Sequence, residues 1–235
     1  MKIKNAIICH HCGAENEYYK ETCSSCKAYL RGKIVNIDLW RSIWWLIESP
    51  AKAFREIIFA EHKNYIVFIL AIMGIKYFLS SLIISNYTFF AGEVNETPIA
   101  QLFPAAGILI ASVFLMSFLF TKILNAAGYR NTFKSVNAVL VYTLIPSVMI
   151  FAILSPIEFA LFGQHWYYHN PSPLTLKFGA ALVLFGVEII IYVWGAVLAV
   201  KGFIALTGSK KISIALGLVF TLVMIGVILA LPFIY

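Results

Sequence analysis

Long apolar runs dominate this chain after its first 64 residues. Five of them approach the roughly 20 residues that an α-helix needs to cross a bilayer. The stretches between them are short and contain Gly, Pro and Asn, which favour turns over continued helix. We therefore predict five membrane-spanning helices, at about 65–85, 102–124, 136–156, 174–200 and 212–234.

A different pattern precedes the first run. Between residues 34 and 64, apolar side chains recur at helical spacing among charged ones, which is typical of short amphipathic helices. Ser49 and Pro50 favour the start of a second helix, as an N-cap followed by a first helical residue. We predict a pair of amphipathic helices on the inner leaflet; the alternative is that their apolar faces pack on the spans or on a partner chain. Three tryptophans here prefer the headgroup layer of a membrane: Trp40, Trp44 and Trp45.

All the cysteines of the chain form two C-x-x-C pairs near its N-terminus: Cys9, Cys12, Cys23 and Cys26. This spacing presents two pairs of thiolates on tight turns and is typical of a structural zinc site. His10 and His11 lie inside the first pair and could replace a cysteine, but four thiolates already complete a tetrahedral shell. A catalytic zinc would keep an open position and is not expected. We predict that residues 1–33 form a small zinc ribbon.

Composition and charge agree with a membrane protein. Charged residues make up 12% of the chain and its mean hydropathy is +0.85, whereas a soluble domain has about 25% charged residues. The net charge of +7 does not require nucleic acid as a partner, because Lys and Arg mark the cytoplasmic loops of membrane proteins. The basic clusters all fall on one side of the predicted spans, with Lys177 as the exception. Zinc thiolates also need a reducing compartment, so we expect a cytoplasmic N-terminus and a C-terminus on the outer side.

These patterns predict an all-α integral membrane protein with three parts. A four-cysteine zinc ribbon occupies residues 1–33, and an amphipathic juxtamembrane linker occupies residues 34–64. A membrane domain with five transmembrane helices occupies residues 65–235.

Lys76 and Glu188 are charged residues deep within predicted spans. They lie about eleven and twelve residues from the cytoplasmic ends of the first and fourth spans, hence at nearly the same depth. Intramembrane charges usually face the bundle interior and pair. We predict an ion pair that orders the bundle; the alternative is a proton or ion relay, or a polar substrate site.

A histidine pair lies in the predicted outer loop. His165 and His169 have the i,i+4 spacing of two metal ligands on one helix face, but a metal site would also need a third ligand, such as the more distant Glu158. The intervening aromatic residues favour an interfacial belt over a metal site.

Three segments carry a resemblance to a known family. They are Pro50-x-x-x-Phe54-x-x-Ile57, SVNAVLVYTLIPSVM in the third span, and the stretch from Trp194 through GFIALTGSKKISIALG. Roughly residues 45–235 resemble the Yip domain (Ypt-interacting proteins), and a zinc ribbon ahead of it is similar to many prokaryotic members. The resemblance implies a five-span integral membrane protein. Eukaryotic members are associated with small GTPases and vesicle traffic, but no partner-binding motif can be matched here residue by residue.

The chain contains no Ser-His-Asp set, phosphate loop or H-E-x-x-H motif. We therefore expect a non-enzymatic membrane-organising or adaptor protein, whose partners are the lipid bilayer and a protein that docks on the ribbon. The ribbon has few aromatic residues and mixed charges, which favours a protein partner over nucleic acid. Association with a second copy of the chain is a further option. The alternative is a small transporter or channel component using Lys76 and Glu188, although few intramembrane polar residues are present. An intramembrane enzyme ranks third.

Overall fold

The computed structural model describes residues 3–85, 98–168 and 171–233. Five helical segments are long and apolar enough to cross a membrane, which confirms the predicted all-α membrane class with five spans. Their bounds are Ile66–Ile84, Leu102–Ala126, Phe133–Phe162, Phe178–Thr207 and Lys210–Phe233.

The N-terminal ribbon is built from two turns of the same design. Strand β1 (Ile7–Ile8) pairs antiparallel with β2 (Glu15–Asn16), and the first C-x-x-C turn joins them. Gly13, just after this turn, has a φ of 72°, and Lys27 holds the corresponding place after the second turn with a φ of 61°. The amides of both residues donate to the carbonyl of the first cysteine of their turn. Glycine suits this left-handed conformation, whereas lysine adopts it at a steric cost.

The linker forms a closed β-α-α-β unit. Strand β3 (Ile34–Asn36) pairs parallel with β4 (Ala60–His62), and between them run α1 (Leu39–Glu48) and α2 (Pro50–Phe59). Asp38 caps α1 by accepting a bond from the amide of Arg41 at 3.1 Å. Helix α2 begins at Pro50, as predicted, but the Ser49 side chain makes no capping bond. The Ser49 amide instead ends α1 by donating to the carbonyl of Trp45.

The apolar face of α2 is covered by other helices. Helix α2 buries Phe54 and Ile57 completely. A Cβ placed on Gly202 would lie 2.5 Å from a methyl group of Val139 and 3.3 Å from the ring of Phe54. Helix α2 therefore packs tightly against two of the long helices, and this contact leaves no room for a side chain at position 202.

The first two spans are the continuous helices α3 (Ile66–Ser85) and α4 (Leu102–Ala126). The third span is broken in the middle. Helix α5 (Phe133–Tyr142) ends at a turn, and α6 (Ile145–Phe162) starts after it. Pro146 explains the break, because it has no amide to donate to the carbonyl of Tyr142 and its ring would clash with that carbonyl. The apolar run at this position predicted one uninterrupted helix over 136–156.

Two short helices, α7 (His165–Tyr168) and α8 (Pro173–Leu176), precede the fourth span. Helix α9 (Phe178–Thr207) is longer than expected and is followed almost at once by α10 (Lys210–Ala230). The turn between them is Gly208 and Ser209, with a φ of 71° at Gly208. Lys201 and Gly202, placed in a loop by the sequence analysis, belong to α9. Gly202 marks a close helix contact and not a turn.

The chain divides into two compact units. Unit 1 comprises Met1–Ile66, Val113–Thr143 and Val197–Phe220; unit 2 comprises Val67–Ser112, Leu144–Ala196 and Thr221–Tyr235. In unit 1, Phe120 and Phe203 meet edge to face at 5.1 Å between ring centroids. In unit 2, Trp166 stacks on Phe185 at 4.8 Å within a buried apolar cluster. Each unit thus has its own aromatic core.

Candidate functional site

The four cysteine sulfurs lie within 4.8 Å of one another. The Sγ atoms of Cys9 and Cys26, and those of Cys12 and Cys23, are 3.6 Å apart. Zinc–sulfur bonds of about 2.3 Å in a tetrahedron place the sulfurs about 3.8 Å apart. The donor set and its spacing therefore fit a zinc ion held by four thiolates.

Backbone amides and one asparagine surround these sulfurs. The amide of Cys26 lowers the pKa of the Cys23 thiol to about 6, which favours the thiolate form that binds metal. Asn16 is buried; its amide group donates to Cys23 Sγ at 3.4 Å and to the Ala14 carbonyl at 2.9 Å. Its Oδ1 accepts from the Ser24 amide at 2.7 Å. Asn16 thus connects the two cysteine turns, a role that the C-x-x-C spacing did not reveal.

Histidines take no part in this cluster. His10 and His11 are exposed and lie outside the group of four cysteines. Within the described ranges, that group is the only set of three or more candidate ligands close enough to hold a metal. His165 begins α7 outside any such group, and His169 lies outside the described residues.

Short polar contacts fix the ribbon to the rest of unit 1. The Lys4 amide donates to the Gly128 carbonyl at 3.0 Å. The Asn5 side chain donates to the carbonyls of Arg130 and Leu206, at 3.3 and 3.1 Å, and accepts from the Arg130 amide at 2.9 Å. The ribbon is therefore bound to the turn after α4 and to the end of α9.

Aromatic contacts join the ribbon to α2. The rings of Tyr18 and Phe59 lie 5.1 Å apart, and the Arg31 guanidinium lies 3.7 Å above the Phe59 ring. Arg31 also donates to the Tyr19 carbonyl at 2.7 Å. These contacts and the polar ones hold the ribbon on two sides.

The three linker tryptophans occupy two different environments. Trp40 and Trp44 are 74% and 65% exposed and share one face of α1 with Ile47, which is 65% exposed. Trp45 is half-buried, with the charged groups of Arg41 and Lys52 at 4.1 and 3.8 Å from its ring. An uncovered apolar stripe therefore runs along α1, and Trp45 is not part of it.

The structure brings Lys76 and Glu188 together within unit 2. Lys76 Nζ lies 2.7 Å from both carboxylate oxygens of Glu188. The Lys76 side chain is 4% exposed and that of Glu188 is 21% exposed. The rings of Tyr192 and Phe151 lie 5.6 and 5.9 Å from the same Nζ. The ammonium is thus enclosed by one carboxylate and two aromatic faces.

A cavity of about 500 Å³ adjoins this ion pair, lined entirely by residues of unit 2. Glu158 also lines it, is 5% exposed, and accepts a hydrogen bond from the Trp166 indole. From the sequence, Glu158 was considered only as a distant ligand of a loop metal site; in the structure it interacts electrostatically with both members of the ion pair. Glu158 lies two residues beyond the predicted end of the third span, whereas α6 continues to Phe162 and carries this residue into the helix.

Comparison with known proteins gives one match. The model of the Yip1 domain family matches residues 44–231, which include both linker helices apart from the start of α1, and all five spans apart from the end of the last. No curated protein and no solved structure matches the chain.

Proposed function

This chain belongs to the Yip1 domain family, and from that premise we propose that it is a non-enzymatic membrane-organising or adaptor protein. It is an integral membrane protein, and its family indicates a trafficking-related role. The proposed adaptor surface is the zinc ribbon, which would dock a cytoplasmic protein. The fixed attachment of the ribbon to unit 1 is the observation that carries the proposal.

A rigidly attached ribbon presents its exposed side chains in one geometry. Ile8 and Tyr29 are 63% and 78% exposed, although they are large and apolar. A partner that binds a pre-organised surface loses less conformational entropy than one that must first order it. Exposed aromatic residues also rank among the strongest contributors to protein interfaces. Ile8 and Tyr29 are therefore the proposed contacts.

The distribution of basic residues supports a cytoplasmic ribbon. Sixteen of the 18 Lys and Arg residues belong to unit 1, which also contains the ribbon; the exceptions are Lys76 and Lys177. Basic residues near the ends of spans favour the cytoplasmic side. Four thiolates for zinc also require a reducing compartment. We infer that the N-terminus is cytoplasmic and that the C-terminus lies on the outer side.

The docking proposal predicts that the exposed side chains of Ile8 and Tyr29 determine how much of the partner protein co-purifies with the chain. The full chain is affinity-purified from native membranes beside an Ile8→Ser/Tyr29→Ser variant, and co-purified proteins are quantified by mass spectrometry. We expect at least one cytoplasmic protein to be enriched with the wild type and depleted about tenfold or more with the variant, because two anchor side chains are lost.

Two controls accompany this measurement. Zinc content of the variant should equal that of the wild type, since neither residue is a cysteine. Val35→Ser removes another exposed apolar side chain, outside the ribbon, and should leave partner recovery unchanged. Equal recovery of every protein with the wild type and the Ile8/Tyr29 variant would reject the ribbon as the docking surface.

We propose a second contact, between the inner leaflet and the apolar stripe that Trp40, Trp44 and Ile47 form on α1. Tryptophan side chains favour the headgroup region, and α2 leaves the outer face of α1 uncovered. In vesicles containing brominated lipids, tryptophan fluorescence should be quenched. The quenched signal should fall more in Trp40→Phe and in Trp44→Phe, each made singly, than in Trp45→Phe, which removes the half-buried ring. A larger fall with Trp45→Phe would place the stripe away from lipid.

The Lys76–Glu188 pair fits a structural role better than transport. One ammonium engages both carboxylate oxygens, and Lys76 is nearly inaccessible. An ion or proton relay needs a charged group that releases one partner and binds another. Here Lys76 and Glu188 are each already bound to the other. We therefore propose that the pair orders the helices of unit 2.

A further inference from the structure

The described lining of the cavity in unit 2 has more acidic than basic side chains. Its described lining includes two carboxylates, Glu158 and Glu188, and a single ammonium, Lys76. Lys76 is bound to both carboxylate oxygens of Glu188, so the described lining offers no second ammonium to pair with Glu158. A lone carboxylate that is 5% exposed inside an apolar region is costly unless it binds a proton or a cation.

Two pairs of polar side chains around the cavity are hydrogen-bonded to each other. Ser80 bonds with Tyr192, and Ser155 bonds with Tyr167. The Trp166 indole takes up one acceptor site of Glu158. The remaining acceptor capacity of the two carboxylates is therefore the main polar recognition element of the cavity.

Aromatic rings and aliphatic side chains form most of the remaining lining. Phe151, Trp166, Phe185 and Tyr192 contribute aromatic rings, whose faces attract cations. Ile225 and Leu229 belong to the aliphatic part of the lining. A volume of about 500 Å³ is within the range of sites that bury most of a drug-sized molecule.

We propose that this cavity binds a hydrophobic organic cation. The positive centre would lie near Glu158 and the aromatic rings, and the apolar body would contact the aliphatic lining. A hydrophobic anion of equal size would face the uncompensated carboxylate and be rejected. The inference does not depend on the ribbon or on its docking partner.

Two ions of the same shape and opposite charge test this inference. The full-length protein is purified in detergent, and uptake of tetraphenylphosphonium and of tetraphenylborate is measured by equilibrium dialysis, with protein-free micelles subtracted. We expect tetraphenylphosphonium to saturate at about one per chain, and tetraphenylborate to show no uptake beyond the micelles. Equal protein-dependent uptake of both ions, or none of the cation, would overturn the proposal.

Two variants test the role of the cavity itself. Glu158→Gln removes the uncompensated charge and should weaken tetraphenylphosphonium binding at least tenfold, whereas Glu15→Gln makes the same change on the exposed ribbon strand and should not weaken it. Ala196→Phe places a ring into the cavity lining without changing charge and should also reduce binding. If Glu158→Gln does not fold, Ala196→Phe and the comparison of the two ions decide the matter. Wild-type affinity in Ala196→Phe would contradict the proposed site.

Discussion

Replacing Cys23 with serine should unfold the ribbon while the five spans stay inserted. Cys23 is fully buried, and its turn is tied to the other cysteine turn through Asn16. The described part of the ribbon has two strands of two residues each and one isolated bridge between Thr22 and Tyr29, so it has no extensive sheet of its own. In such small domains the free energy of zinc binding, about 10–16 kcal/mol, is also the free energy of folding.

Metal analysis and limited proteolysis of the purified chain measure this effect. The wild type should contain about one zinc per chain and resist cleavage within residues 1–33, whereas Cys23→Ser should lose zinc and be cleaved there. Ser25→Ala, an exposed position within the same turn, should behave as the wild type. Full zinc occupancy in Cys23→Ser, or disulfides among the cysteines of the native protein, would contradict the site. Disulfides would also reverse the proposed orientation.

Separating Lys76 from Glu188 should destabilise unit 2 strongly. Removing one partner of a buried ion pair costs about 3–5 kcal/mol, because the other charge stays without compensation. Lys76→Met should be the more damaging change, since it leaves two carboxylates, Glu188 and Glu158, without any cation in the cavity lining. Glu188→Gln leaves Lys76 with Glu158 nearby. The double variant should recover most of the loss, because it removes both charges.

Unfolding midpoints in detergent for both single variants and the double variant form a double-mutant cycle. Lys177→Met applies the same substitution at an exposed lysine and should shift the midpoint little. Losses that simply add in the double variant would show that the two residues are not energetically coupled. Lost flux of an ion or substrate at normal stability would instead favour the transporter alternative.

The sequence predicted the elements of this fold better than their partners. Length and hydropathy were sufficient for five spans, and cysteine spacing was sufficient for the ribbon turns. Apolar periodicity in the linker identified two amphipathic helices, but it did not reveal that α2 packs on the long helices while the α1 stripe is uncovered. Both helices have an apolar face, and only the three-dimensional arrangement determines which face is covered.

The roles of some single residues follow from packing that the sequence reveals only in part. Gly202 was placed in the loop after the fourth span, although as a small residue it also suggested close helix packing; its missing side chain makes room for Val139 and Phe54. Glu158 was considered as a metal ligand because it lies near His165 in the sequence. In the structure it interacts with residues of other helices: Trp166, Lys76 and Glu188. Asn16 carried no motif at all. Contacts between residues far apart in the chain leave no periodic pattern in the amino-acid sequence.

The parallel pairing of β3 and β4 determines how a mechanical load on the ribbon would travel. Ile34 lies beside Ala60 and Asn36 beside His62, so the end of the ribbon is a direct backbone neighbour of the chain that enters the first span. A pull on the ribbon would load these strands in shear, with their hydrogen bonds sharing the tension. Helix α1 would form a side branch that carries little of it, whereas the end of α2 would share the load through the contacts of Phe59 with Tyr18 and Arg31. A docked protein would then pull on the first span by the shortest route, and the α1 stripe could stay in place on its own contacts.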